Sequence, residues 1–142
     1  MLTKLDVQPI NLRPKYKSKF PKPKQVLLLS NTQDLGRIVQ LSLEEIASWQ
    51  VITVDISFQS INQAAIHQPD VLVLDTILPD VAGLDTLQII HDNSRLKTIP
   101  LILLTERMQS SDRKLYASFD VDAAIAKPFD ILDLVELINR HS

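Results

Sequence analysis

The sequence predicts an α/β fold of the doubly wound kind, a parallel sheet with helices on both faces. Three observations predict it. Five short apolar runs recur from residue 25 onward. Apolar residues at helical spacing follow each run. The strongest runs, Val71-Leu72-Val73-Leu74 and Leu101-Ile102-Leu103-Leu104, are apolar throughout rather than alternating, as in strands buried on both faces. Right-handed crossovers between such strands leave a doubly wound sandwich.

The elements follow in order. Val26-Leu27-Leu28-Leu29 reads as a first strand ending in polar Ser30-Asn31-Thr32. Leu35, Ile38, Val39, Leu41, Leu43 and Ile46 then fall at mainly helical spacing, with Asn31 or Thr32 as N-cap. Gln50-Val51-Ile52-Thr53-Val54 alternates and reads as the second strand. Ile61, Ala64, Ala65 and Ile66 predict a short helix that stops before Pro69. The third strand, Val71–Leu74, ends in Asp75; Pro79 and Gly83 bracket a loop, and Leu84, Leu87, Ile90 and His91 continue as a helix. The fourth strand, Pro100–Leu104, ends in Thr105 and precedes a helix over 110–119. Ala123-Ala124-Ile125-Ala126 is a weaker fifth strand ending at Lys127-Pro128, and Ile131, Leu134, Val135, Leu137 and Ile138 form the last helix.

Composition bounds the function. With 142 residues, 45% hydrophobic and 23% charged, the chain is an ordinary globular domain. It has no cysteine, which excludes a disulfide framework, a Cys-ligated zinc and a thiol nucleophile. No apolar run approaches the ~18 residues of a membrane span, and no signal-peptide core is evident. A cytoplasmic location without membrane association is the expectation. His67, His91 and His141 have no metal-site spacing and read as surface or helix-end residues, while Trp49 reads as packing. Only two glycines, Gly36 and Gly83, are present, and the loop after the first strand lacks a glycine-rich phosphate cradle, so a nucleotide-binding enzyme is not expected.

The net charge of −2 conceals an asymmetry. Residues 1–24 carry seven basic side chains and one acid, a net +6, and four of the eight prolines; residues 25–142 carry eight basic and sixteen acidic side chains, a net −8. Residues 1–24 therefore read as a basic, proline-containing N-terminal arm and 25–142 as the domain. No nucleic-acid-recognition motif is present, and nucleic acid is not an expected partner.

In doubly wound sheets the chemistry lies beyond the carboxyl ends of the strands. Here those ends are Ser30-Asn31, Asp75, Thr105 and Lys127. A carboxylate, a hydroxyl and an ammonium gathered there suit oxyanion chemistry. Asp75 is the nucleophile that would form an acyl phosphate. Lys127 pairs with it and then with phosphoryl oxygens, and Thr105 donates a hydrogen bond to one of them.

The chain resembles the receiver domain of two-component response regulators. Gln68-Pro69-Asp70-Val71-Leu72-Val73-Leu74-Asp75 with Leu78-Pro79-Asp80 and Gly83-Leu84 is similar to that family's phosphoacceptor strand and loop. Ile99-Pro100-Leu101-Ile102-Leu103-Leu104-Thr105 resembles its fourth strand and switch threonine, and Ala126-Lys127-Pro128-Phe129 resembles its Lys-Pro signature, where the family has a cis peptide bond. The resemblance implies a flavodoxin-like fold with strand order 2-1-3-4-5. It also implies phosphoryl transfer onto Asp75 from a histidine kinase or phosphotransfer protein, with no enzymatic activity beyond self-phosphorylation and dephosphorylation. Signalling would pass to a downstream protein through residues 110–138.

The sequence departs from the family at named positions. Two adjacent acids normally end the first strand and, with the phosphoacceptor, hold Mg²⁺; here they read Ser30-Asn31. Neutral oxygens replace carboxylates, so Mg²⁺ at Asp75 and Asn31 is expected to be weak, and phosphorylation from small donors slow or absent. A phosphorylation-independent interaction module, a pseudo-receiver, is the alternative. Glu106 stands where a small residue is usual and is a candidate modulator of access; Ala124 stands where many receivers have a switching aromatic. Asp120 replaces a common glycine and is expected to keep the left-handed turn. Tyr116 and Phe119 read as core or partner contacts.

Overall fold

The computed structural model describes residues 9–12, 24–75, 81–106 and 108–142. Its elements are β1 (Ile10–Asn11), β2 (Gln25–Ser30), α1 (Gln33–Ala47), β3 (Gln50–Val54), α2 (Phe58–Ala65), β4 (Val71–Asp75), α3 (Val81–Asp92), β5 (Leu101–Thr105), α4 (Ser110–Ser118), β6 (Ala123–Ala126) and α5 (Ile131–His141). The Leu78-Pro79-Asp80 segment and most of residues 1–24 lie outside the described residues.

The sheet runs β1-β6-β5-β4-β2-β3. Its five long strands are mutually parallel, and counted among themselves they have the expected order 2-1-3-4-5. Side chains alternate across a strand, so each apolar run feeds two cores. Leu27, Leu29, Leu72 and Leu74 join one cluster, with Ile61, Leu87 and Tyr116. Val26, Leu28, Val71 and Val73 join the other, with Val39, Trp49 and Leu134. Each fully buried aliphatic side chain contributes about 1.5–3 kcal/mol of transfer free energy, which explains why unbroken apolar runs specify the central strands.

Two local features differ from the sequence reading. The segment read as an arm supplies a sixth strand: Ile10 pairs with Ala124 and Asn11 with Ala123, antiparallel, at the free edge of β6. The Leu12 amide donates to the Asp122 carbonyl at 2.8 Å, and its side chain packs on the first core. A two-residue strand has too little pattern to be seen in sequence; pairing with a preformed edge creates it. The other difference is at α3, which begins at Val81, so Gly83 lies in its first turn rather than closing the preceding loop. Helix ends otherwise follow their chemistry. Thr32 stands at the N-cap of α1 without a side-chain cap bond, whereas Ser57 caps α2 through the Ser60 amide, and the Asp130 carboxylate accepts from the Leu132 amide at 2.9 Å at the start of α5. Asp120 has φ of 59°, the left-handed turn expected of it.

Candidate functional site

Parallel pairing in register fixes where the polar strand ends meet. Ser30 lies opposite Asp75 across the β2–β4 pair, Asp75 opposite Leu104 across β4–β5, and Thr105 opposite Ala126 across β5–β6. The register therefore delivers one polar residue per strand to the same edge, with Lys127 one residue beyond β6.

Asp75 is the centre of the cluster. Its side chain is 1% exposed, and both carboxylate oxygens are engaged. The Ser30 hydroxyl donates to Oδ2 at 2.8 Å. The Lys127 ammonium makes a short charge-assisted contact to Oδ1. Lys127 is held in place by its own backbone, whose amide donates to the Thr105 carbonyl at 2.8 Å, and is followed by a cis bond to Pro128. The cis bond stands where the Lys-Pro motif leads one to expect it. A buried carboxylate without a cation would carry a large desolvation penalty, so the ion pair explains how Asp75 stays buried.

Ser30 has a second acceptor. Its Oγ lies 3.2 Å from the Thr32 carbonyl as well as 2.8 Å from Asp75, and it also accepts from the Thr32 amide at 3.1 Å. One hydroxyl proton thus faces two acceptors. Gly36, a turn into α1, lies beside this hydroxyl: a Cβ there would sit 3.4 Å from Ser30 Oγ, an ordinary contact distance.

Asn31 does not join the cluster. Its side-chain oxygen accepts from the Ile56 amide at 2.8 Å, tying the end of β2 to the loop after β3. This bears directly on metal binding. A hard dication favours several carboxylate oxygens, whereas here one carboxylate is paired with a lysine and a serine. Among the described residues no group of three His, Cys, Asp or Glu side chains is placed to hold a metal. The donors described do not fit the three-carboxylate arrangement.

Thr105 is wholly buried, and its hydroxyl lies 3.1 Å from the hydroxyl of Tyr116 on α4. Sequence reasoning treated Tyr116 only as core or a surface contact. It is core, with no exposed surface, and it also reaches the site. Ala124 is buried in the same cluster as Tyr116. Glu106 is exposed and lines a groove of about 580 Å³ beside Lys127, whose apolar wall includes Leu35, Ile38, Phe129 and Ile131. Ile38 is 61% exposed, so an apolar face stands open next to the cluster. No helix among the described residues is long and apolar enough to cross a membrane.

Comparison with known proteins agrees with this geometry. The response regulator receiver domain family matches residues 26–139. The polar-differentiation response regulator DivK of Brucella anthropi is 25% identical over 119 residues, 84% of this chain and 96% of that protein. The transcriptional regulatory protein KdpE of Mycobacterium tuberculosis is 33% identical over 104 residues, 73% of this chain and 44% of KdpE. The response regulator ArlR of Staphylococcus saprophyticus is 29% identical, over 80% of this chain and 50% of ArlR. The chain thus spans about half the length of the latter two. Among solved structures, chemotaxis response regulator CheY4 of Vibrio cholerae superposes with a TM-score of 0.74 at 19% identity, over 85% of this chain and all of CheY4. The receiver domain of sensor histidine kinase PA1611 of Pseudomonas aeruginosa, described with magnesium coordinated in its active-site cleft, gives 0.69 at 21% identity, covering 84% and 98%.

Proposed function

The chain belongs to the response regulator receiver family, and on that premise we propose that it is a two-component signalling module in which Asp75 accepts a phosphoryl group from a histidine kinase or phosphotransfer protein. The observation that carries this reading is the buried Asp75 carboxylate held between the Lys127 ammonium and the Ser30 hydroxyl. In the transfer, a carboxylate oxygen of Asp75 attacks phosphorus as the bond from phosphorus to the donor imidazole nitrogen breaks. The nitrogen leaves with the electron pair and takes up a proton. Oδ2 is the oxygen to be freed, because Ser30 can turn its proton to the Thr32 carbonyl. Lys127 stays beside Oδ1 and neutralises charge that builds on the phosphoryl oxygens. Thr105, at the end of the neighbouring strand, donates to one of those oxygens.

Both oxygens being engaged, and the metal-site positions being neutral, supports slow reaction with small donors. A protein donor brings its own binding energy, and the open apolar face around Ile38 and the Lys127 groove suits a helical partner of amphipathic character. Output to a second protein runs through residues 110–138, the α4–β6–α5 surface.

Intact-mass analysis after mixing with a phosphorylated histidine phosphotransfer protein, and separately with acetyl phosphate and Mg²⁺, tests the proposal. The expected result is one added phosphoryl group with the protein donor, little with acetyl phosphate, and none in Asp75→Asn. No gain with any donor, or a gain that persists in Asp75→Asn, overturns it. The engagement of Asn31 with Ile56 favours a second reading, a phosphorylation-independent interaction module. Under that reading Asp75→Asn retains full signalling in cells.

A further inference from the structure

The edge of β6 is covered by the chain's own N-terminal segment. Ile10 lies opposite Ala124 and Asn11 opposite Ala123, antiparallel, and the Leu12 amide donates to the Asp122 carbonyl at 2.8 Å. Tyr116 of α4 packs into the core on one face of the sheet, and Leu134 and Leu137 of α5 into the core on the other, so this edge lies between the two helices. Strand edges are usually guarded by a lysine, a proline or a bulge, because their unpaired amides and carbonyls accept another strand. The sequence of β6, Ala123-Ala124-Ile125-Ala126, has neither charge nor proline, and β1 stands in as the guard.

That guard is weakly held. It consists of two register pairs, one further hydrogen bond and the half-buried side chains of Ile10 and Leu12. Each ordered residue costs a factor of about 5–30 in population, whereas each net hydrogen bond returns about 2–10. The central strand β4 is paired on both sides instead, over five register pairs with β2 and four with β5.

We infer that residues 9–12 are a detachable strap whose release opens the β6 edge to the β6 edge of a second copy of the chain. Across a two-fold axis the edge meets itself, antiparallel, and its four uncharged side chains bring no like charges together. Charge favours the same partner. Residues 1–24 carry +6 and residues 25–142 carry −8, so an arm released from one copy is attracted to the acidic domain of the other. The strap lies on the α4–β6–α5 face, so its release gates output; that last link rests on the proposed use of residues 110–138, while the pairing itself does not.

A disulfide lock tests it, because the chain has no cysteine of its own. Directly opposed residues of an antiparallel pair have Cα atoms about 4.5–5.5 Å apart, within the range a disulfide spans. Three full-length chains are compared by sedimentation velocity over a concentration series. They are the unsubstituted chain, Leu12→Pro, which removes the amide that donates to Asp122, and Leu12→Pro combined with Ile10→Cys and Ala124→Cys. Leu12→Pro is expected to dimerise about tenfold or more tightly than the unsubstituted chain, the worth of one to two net hydrogen bonds. The triple variant is expected to stay monomeric when oxidised and to dimerise like Leu12→Pro when reduced, so one polypeptide serves as its own folding control. Hydrogen exchange is expected to show protection over residues 122–126 rising with dimer formation. A monomeric Leu12→Pro chain overturns the inference. Dimerisation of the oxidised triple variant overturns it too, since association then comes from the lost Leu12 side chain and not from the opened edge. Dimerisation without added protection over residues 122–126 marks another surface and equally overturns it. Asp75→Asn is expected to leave every one of these results unchanged, so the strap and the phosphoacceptor reading stand or fall separately.

Discussion

The Asp75–Lys127 pair is asymmetric, and the asymmetry has a measurable consequence. The Asp75 side chain is 1% exposed and that of Lys127 16% exposed. Replacing Lys127 by Met keeps most of the stem's packing but removes the charge. Asp75 then stays buried with the Ser30 hydroxyl as its remaining described partner. Removing one member of a fully buried pair costs about 3–5 kcal/mol. The partial exposure of Lys127 admits some water, so Lys127→Met is expected near the lower end, about 3 kcal/mol. Asp75→Asn removes the other charge but leaves the ammonium at the partly open side, where it can hydrate. An amide oxygen still accepts from one neighbour. Its cost is expected to be about 1–2 kcal/mol, the worth of a charge-assisted hydrogen bond. With both substitutions the unpaired charge is gone, and the loss falls well below the sum of the two, a coupling of about 2 kcal/mol. Urea unfolding followed by Trp49 fluorescence measures all three, because Trp49 is the sole tryptophan and is 7% exposed in the folded chain. Equal or greater loss in Asp75→Asn than in Lys127→Met, or additive losses, would refute the reasoning.

Three further outcomes are expected. Gly36→Ala should stabilise the chain by about 0.5–1 kcal/mol in the same assay, since glycine is disfavoured within a helix and the new Cβ meets its neighbours at ordinary contact distances of 3.4–3.8 Å. Ala124→Tyr should destabilise by about 1–3 kcal/mol through overpacking beside Tyr116, and adding Tyr116→Ala should recover part of that loss. At Asp55, the Ser60 hydroxyl at 2.7 Å, with Ser57 next, holds the carboxyl below its usual value of 3.8. A depressed carboxylate stabilises the fold above that value, and the contribution disappears as pH falls through the depressed one. Ser60→Ala should therefore unfold more readily than the parent at neutral pH, with the difference vanishing in acid.

The central sheet was legible because its physics is local. A strand covered on both faces is apolar along its length, and β4 and β5 are so up to their last residues, Asp75 and Thr105. The left-handed turn at Asp120 was legible from the resemblance, which puts a glycine there, and from the tolerance of aspartate for that conformation; those at Ser48 and Gln68 were not. The short strand Ile10–Asn11 was not, because nothing in two residues encodes pairing; the free edge of β6 supplies it. Asn31 illustrates the same limit at the site. Its identity shows that a carboxylate is missing, but its commitment to the Ile56 amide comes from a loop 25 residues away.

The sequence by itself determined the doubly wound fold, the set Asp75, Thr105 and Lys127 at strand ends, and the loss of two acids at Ser30 and Asn31. The fold and the strand-end set follow from composition at single positions and from the period of apolar residues along the chain; the loss of the acids follows from the resemblance to receiver domains. The tertiary structure decided which groups touch. It closed Ser30 and Lys127 around Asp75, turned Asn31 away, and brought the Tyr116 hydroxyl from α4 to Thr105. Register and helix packing set those contacts, and both depend on elements far apart in sequence, which no local pattern records.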